Sequence, residues 1–285
     1  MFDVSRSREA IAVVMAKEPI AGQVNTRLIS PGFLDAAGAA EVAARFLCCV
    51  VARLCIVFEG RVVVAVSPDE SIERMREFFF ASGGDVDKDG GGGGFANEIE
   101  IIGQGTGGDL GVRMEHVWQQ VIERECAGDR ERGDGGEDLP VVFFGIDSPD
   151  VSMSVLRELR DSLREGKIAV EDDGVLGEGV CFFDVAAGAT LDGGYWCLAA
   201  RAFYPEVLRG IAWGGCSVFA DTKKRAMEAG LRFGALADWY DVDELADLRC
   251  LVERLNDDES NVDDPALVGL GERLRGILEG SAWYK

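Results

Sequence analysis

The chain has 285 residues, 51 of them acidic and 29 basic, for a formal net charge of −22. A surface this acidic repels nucleic acid, and no basic stripe interrupts it, so a nucleic-acid partner is excluded. The 47% hydrophobic content suits a sizeable folded core, and no apolar run approaches the ~20 residues needed to span a bilayer. The opening MFDVSRSREA lacks a signal-type apolar segment, so the reading is a soluble cytoplasmic protein. The eight cysteines (48, 49, 55, 126, 181, 197, 216 and 250) include no CxxC pair, and His116 is the lone histidine. Zinc-ligand spacing is therefore absent, and the thiols read as reduced and buried. Any anionic substrate has to be met by local cations or by a metal.

Strand and helix signals alternate along the chain. IAVVMA (11–16) is a continuous buried strand, followed by a loop with Lys17, Pro19, Gly22, Asn25 and Arg27. Over 35–55, the residues Ala43, Phe46, Leu47, Val50, Val51 and Leu54 recur at helical spacing. RVVVAV (61–66) predicts a strand, SIERMREFFF (71–80) a helix and IEII (99–102) a short strand. Asp109 can cap a helix whose Leu110, Met114, Val117, Val121 and Ile122 share a face. PVVFFG (140–145) is a further strand, and Ser152 can cap the next helix, with Met153, Leu156, Leu159 and Leu163 inside. VCFFDVA (180–186), YWCLAA (195–200) and LRFGALA (231–237) read as strands. Helices are predicted over 217–230, stopped by Gly230, and over 244–255 and 264–279.

Strands followed by helices imply an α/β domain, its mostly parallel sheet covered on both faces, with a small antiparallel addition near 180–200. One domain over 1–285 is expected, with flexible insertions near 85–95 and 128–138 and a C-terminal helical extension over 249–285. The five-glycine run in the first insertion lacks the Lys-Ser/Thr ending of a phosphate loop.

Open α/β sheets bind ligands at the carboxyl ends of their strands, which selects the residues to weigh. Lys17 and Arg27 follow the first strand and suit a phosphate. Asp147 in GIDSPD follows an apolar strand directly, a place that suits a hard-metal ligand or an Asp that orders the turn. Alternation puts Asp241 and Asp243 on one side of an extended segment, with Val242 toward the core, although Asp243 can equally cap the helix beyond it. In LDGGYW, Gly193 and Gly194 allow close backbone approach behind Asp192, and Tyr195 and Trp196 are available to stack on a ring. The same stretch also reads as a plain turn. GDLGVRM opens a helix whose amides can face an anion, with Arg113 one turn in.

Taken in order, AVVMAKEPIAGQVNTRL, GGDLGVRM, VVFFGIDSPD, ATLDGGYWCLAAR, GIAWGG and DWYDVDELADL resemble a bacterial family of GT-A-like proteins. That family is described as glycosyltransferase A, or nucleotide-diphospho-sugar transferase-like, and some members are assigned to arsenosugar biosynthesis. The resemblance implies a GT-A, or nucleotide-diphospho-sugar transferase, fold. It places Ala16, Lys17, Gly22, Asn25 and Arg27 in a nucleotide loop, joined by Arg113. It gives Asp147 and Asp243 to a divalent cation, Mg²⁺ or Mn²⁺, and sets Gly193, Gly194, Tyr195 and Asp241 beside the sugar or a small-molecule acceptor. Two motifs depart from the family pattern: NTR stands where KTR is usual, and WGG (213–215) where WST is usual. Asn25 offers phosphate a neutral hydrogen bond in place of a full charge.

The expected activity is metal-dependent transfer of a glycosyl group from a nucleotide-diphospho-sugar, with Asp192 as acceptor-positioning residue or general base. The alternatives are a nucleotidyltransferase, which uses a nucleoside triphosphate and releases diphosphate, and a degenerate, non-catalytic nucleotide-binding protein.

Overall fold

The computed structural model describes residues 9–83, 99–127, 139–170, 179–257 and 263–279. The expected insertions near 85–95 and 128–138 lie outside the described residues. Seven strands form the main sheet in the order β3-β2-β1-β4-β8-β7-β9. They are β1 (Ile11–Lys17), β2 (Val62–Ser67), β3 (Ile99–Gly103), β4 (Val141–Phe144), β7 (Val185–Thr190), β8 (Tyr195–Ala200) and β9 (Phe233–Trp239). β1, β2, β3 and β4 are mutually parallel, and β7 is parallel to β9. β8 runs antiparallel to both β4 and β7, so the carboxyl ends of all the other strands meet at one edge.

Alternation along β1 feeds both layers. Ala12, Val14 and Ala16 join one core with residues of α1 (Ala36–Val57), α2 (Ile72–Gly83) and α4 (Met153–Glu165). Ile11 and Val13 join the other, under α3 (Leu110–Ala127) and α5 (Val218–Glu228). The two predicted caps form: the Val112 N–H donates to Asp109 at 3.0 Å and the Val155 N–H to Ser152 at 3.3 Å. The second face of α1 packs with α6 (Leu245–Asp257) and α7 (Pro265–Leu278), which explains why so many of its residues are apolar. No helix among the described residues is long and apolar enough to cross a membrane.

Three expectations need correction. VCFFDVA is two strands, because the chain changes sheets at Phe183–Asp184. β6 (Gly179–Phe182) pairs with β5 (Lys167–Val170), a strand too short to leave a signal in the sequence. Asp184 fixes the break by accepting from the Arg232 backbone N–H at 2.8 Å and from its guanidinium at 2.6 and 2.9 Å. Phe182 is then half exposed beneath the cations of Lys167 and Arg232, while Phe183 is fully buried. β9 also starts and ends two residues later than predicted. Finally, the thiols are not uniformly buried: Cys49, Cys55 and Cys197 are, but Cys216 and Cys250 are exposed.

A buried ion pair ties the C-terminal helices to the loop after β4. Arg53 of α1 donates through Nε to Asp264, the N-cap of α7, at 2.9 Å. Its other nitrogens reach the carbonyls of Pro149 and Val151 at 2.6 and 2.5 Å. Removing one partner strands a buried charge, at a cost of about 3–5 kcal/mol. Urea unfolding of Arg53→Leu or Asp264→Ala is expected to show a loss of that order. A loss below ~1 kcal/mol, the value of an exposed pair, would contradict this reading.

Candidate functional site

The carboxyl edge of the sheet gathers the exits of β1, β4, β7 and β9. Two hydrogen bonds stitch the β4 exit to the β9 exit: the Val242 N–H donates to the Asp147 carbonyl and Ser148 Oγ to the Tyr240 carbonyl, each at 2.8 Å. Val242 is buried with α1, α6 and α7. This orientation turns Asp241 and Asp243 the other way, as the alternation predicts. The β7–β8 turn adds Asp192. One carboxylate oxygen from each of Asp192, Asp241 and Asp243 lies within 4.8 Å of the others. Three hard oxygen donors so placed fit Mg²⁺ or Mn²⁺ better than a soft metal.

Asp147 stands beside this trio, outside it. Burial pushes its carboxyl up to about 7, the charges of Asp243 and Asp241 add to the rise, and Lys17 opposes it. Asp241 is raised to about 6, first by burial and then by Asp192, with Asp243 and Asp247 contributing. The expected metal pair, Asp147 with Asp243, is therefore brought together in a larger group that also takes in Asp192 and Asp241.

On the cation side, Lys17 is exposed at the end of β1. Gly22 turns the loop with φ at +77°, and Asn25 adopts left-handed geometry with φ at 45°. Asn25 Nδ2 is buried without a hydrogen-bond partner among the described residues. A single 3₁₀ turn, Thr26–Leu28, follows, and fully buried Leu28 anchors it in the α1–α6–α7 core. Arg27 then reaches across to Asp243 at 2.9 Å. An exposed pair of this kind is worth only about 0–1 kcal/mol, so a ligand phosphate can replace it at little cost. Ala16 itself is buried, and its carbonyl accepts from Gln104 Nε2 at 3.0 Å. The β1 exit thus offers a ligand Lys17 and the loop beyond it, and the Ala16 side chain no surface.

The β7–β8 turn is held from within. Asp192 Oδ1 accepts from Thr190 Oγ1 at 2.6 Å and from the Gly194 N–H at 2.8 Å. Gly193 has φ at +91°, and a Cβ there would stand 1.9 Å from the Cys216 carbonyl oxygen, so glycine is required. Gly194 has more room, its nearest neighbours being Asp192 and Thr190 at 3.1 Å. Cys216, the residue directly after the WGG segment, therefore packs against this turn. Tyr195 and Trp196 do not form a joint stacking platform, because neighbouring strand residues point to opposite faces. Tyr195 packs with Met114 and edge-on to Trp213, whereas Trp196 is buried in the other core and donates to the Ala237 carbonyl at 3.0 Å. Gln104, which links β1, β2 and Arg113, did not stand out in the sequence, where a lone Gln after a strand carries no motif.

The raised carboxyls bind protons more tightly in the folded chain than at the unfolded value near 4. Their contribution therefore falls as pH rises from about 4 through about 7 at Asp147. Glu18 and Asp184, held low by hydrogen bonds from Arg74 and Arg232, lose their stabilisation only in stronger acid. In metal-free buffer the urea midpoint is expected to be lower at about pH 8 than at about pH 5.5, and Asp147→Asn to flatten that slope. Identical slopes in the variant and the parent protein would count against the crowded-carboxylate description.

Comparison with solved structures identifies the fold. The chain aligns over 94% of its length with 97% of a candidate nucleotide-diphospho-sugar transferase from Desulfovibrio desulfuricans G20, at TM-score 0.65 and 22% identity. A cytidylyltransferase from Leptospira borgpetersenii serovar Hardjo-bovis (strain JB197) aligns at TM-score 0.47 and 12% identity, covering 97% of this chain and 99% of that one. Rv0371c of Mycobacterium tuberculosis H37Rv, solved as a complex with manganese, aligns at TM-score 0.39 and 17% identity, covering 87% of this chain and 100% of that one. At 22% identity the likeness to the Desulfovibrio structure is one of fold, and the fold is the GT-A-like nucleotide-diphospho-sugar transferase type. No curated protein matches the chain. Residues 59–215, more than half of the chain, match the family described as "uncharacterized protein conserved in bacteria", and the chain belongs to that family, DUF2064.

Proposed function

We propose that the chain transfers a glycosyl group from a nucleotide-diphospho-sugar to a small-molecule acceptor, assisted by Mg²⁺ or Mn²⁺. The observation that carries this reading is the convergence of Asp192, Asp241 and Asp243 at the sheet edge, with Arg27 of the first loop already resting on Asp243. A cation held by Asp241 and Asp243, beside Asp192, would neutralise the departing diphosphate. Lys17, Arg27 and Arg113 bind the phosphates from the side of β1 and α3, and Arg27 exchanges its exposed carboxylate partner for a phosphate oxygen. The Asn25 amide adds a neutral donor where the family pattern has Lys, consistent with its buried, unpartnered Nδ2.

The acceptor approaches Asp192, the exposed member of the trio. Its Oδ1 is engaged by Thr190 and Gly194, and Oδ2 has no hydrogen-bond partner among the described residues. Oδ2 orients the acceptor hydroxyl and takes its proton as the new bond to the sugar carbon forms and the bond to the diphosphate breaks. Gly193, packed against Cys216 and accepting from the Phe219 N–H at 2.9 Å, holds that turn in place. Asp147, whose charged form burial disfavours, keeps the β9 exit in register through its carbonyl.

Incubation with UDP-, GDP-, CDP- and dTDP-sugars and a mixed acceptor pool, read by mass spectrometry, is expected to show Mn²⁺-dependent glycosyl products. Asp243→Ala is expected to lower the rate on the order of a hundredfold or more. Transfer of a nucleotidyl group from a triphosphate, with release of diphosphate, would replace this reading by the nucleotidyltransferase one. Absence of turnover with every donor would support a non-catalytic binding protein.

A further inference from the structure

The cations at the sheet edge are not equivalent. Arg27 is ion-paired with Asp243, and Lys17 acts on Asp147. Arg113, in the first turn of α3, has no carboxylate within ion-pair distance among the described residues. Its one side-chain partner is neutral: Nη1 donates to Gln104 Oε1 at 2.9 Å, and Nε is buried without a partner. In a chain with 51 acidic residues, a half-buried guanidinium left without a counter-ion is unusual.

Gln104 accounts for this arrangement. It follows β3, is only 3% exposed, and reaches across two strands. Its Nε2 donates to the Ala65 carbonyl at 2.8 Å and the Ala16 carbonyl at 3.0 Å. With both amide hydrogens given to strand carbonyls, the amide plane is fixed and Oε1 is left to accept from Arg113. The backbone N–H of Gln104 closes onto the Val66 carbonyl at 3.0 Å, so the residue is held at both ends. A carboxylate at this position would neutralise Arg113 and face two carbonyls unfavourably. A neutral amide orients the guanidinium and leaves its charge intact.

We propose that Gln104 is a positioning residue that holds Arg113 as the uncompensated, diphosphate-recognising cation of the site, an inference that rests on the nucleotide-diphosphate reading above. It assigns ligand discrimination to Arg113 by charge: diphosphates bind better than monophosphates because this cation has a neutral partner and no counter-ion among the described residues.

The test is calorimetric titration of CDP, UDP, GDP and dTDP in the presence of Mn²⁺, with inorganic diphosphate as the base-free probe and the matching monophosphates as controls. Gln104→Met, of similar length, is expected to raise the diphosphate Kd on the order of tenfold, and Arg113→Ala by at least as much. The double variant is expected to bind no more weakly than Arg113→Ala alone, because the amide acts through the guanidinium. Mn²⁺ affinity measured without nucleotide should not change. If Gln104→Met does not fold, Gln104→Asn, which keeps the amide but shortens its reach, takes its place with the same expected loss. A lower Tm with unchanged diphosphate affinity would make Gln104 a purely structural residue and overturn the proposal, as would additive losses in the double variant. Failure of the parent protein to bind any diphosphate would instead overturn the nucleotide reading itself, before any variant is compared.

Discussion

A single backbone hydrogen bond, from the Val242 N–H to the Asp147 carbonyl at 2.8 Å, joins two strand exits that the sheet order keeps apart. β4 and β9 are separated by β8 and β7, and this bond, the Ser148–Tyr240 bond and the bonds of Asp150 to Trp239 and Tyr240 close the gap between their loops. Once closed, the geometry forces acidic side chains together. Asp241 and Asp243 flank Val242, Asp147 sits across the bond, and the β7–β8 turn brings Asp192 into the same space. Burial first, and then like charges this close, raise the proton affinity of Asp147 and Asp241 above that of ordinary carboxylates. Protons, basic side chains or a divalent cation can each relieve the crowding, and Arg27 already does so in part.

The support behind the site differs in kind from the site. Arg53 is buried and ties α1, the N-cap of α7 and the loop after β4 into one unit. Asp150 of that loop accepts from Trp239 at 3.1 Å and also bonds to the Tyr240 hydroxyl, while Arg254 of α6 stacks 3.7 Å from the Tyr240 ring centre. Arg53 and Asp264 are buried and Asp150, Trp239 and Tyr240 half-buried, whereas the Arg27–Asp243 pair is exposed and exchangeable. A stiff scaffold carrying weakly satisfied charge suits a site that reorganises its ion pairs around an anionic ligand.

Most of the fold was legible because each long element repeats a simple period. β1 alternates between two cores, and α1 carries its apolar residues at helical spacing. The break at Asp184 was not, since it depends on a partner, Arg232, 48 residues away. The candidate site was legible as a set of strand-end carboxylates, through the rule that ligands bind at that edge. Its grouping was not, because adjacency in space depends on which strands neighbour which. The stacking expectation for Tyr195 and Trp196 failed on a local rule, the opposite facing of consecutive strand residues. Gln104 left no trace because its role depends on three partners from β1, β2 and α3 and on no motif of its own.

The central claim is that the carboxylates gathered at the sheet edge form a divalent-cation site. The most direct measurement is Mn²⁺ binding by electron paramagnetic resonance at neutral pH, on the parent protein and on Asp243→Asn with its circular dichroism unchanged. The account predicts saturable binding of Mn²⁺ by the parent protein that the substitution weakens at least about tenfold, because one of three close oxygen donors loses its charge. Equal binding by both proteins, or none by the parent, would contradict it.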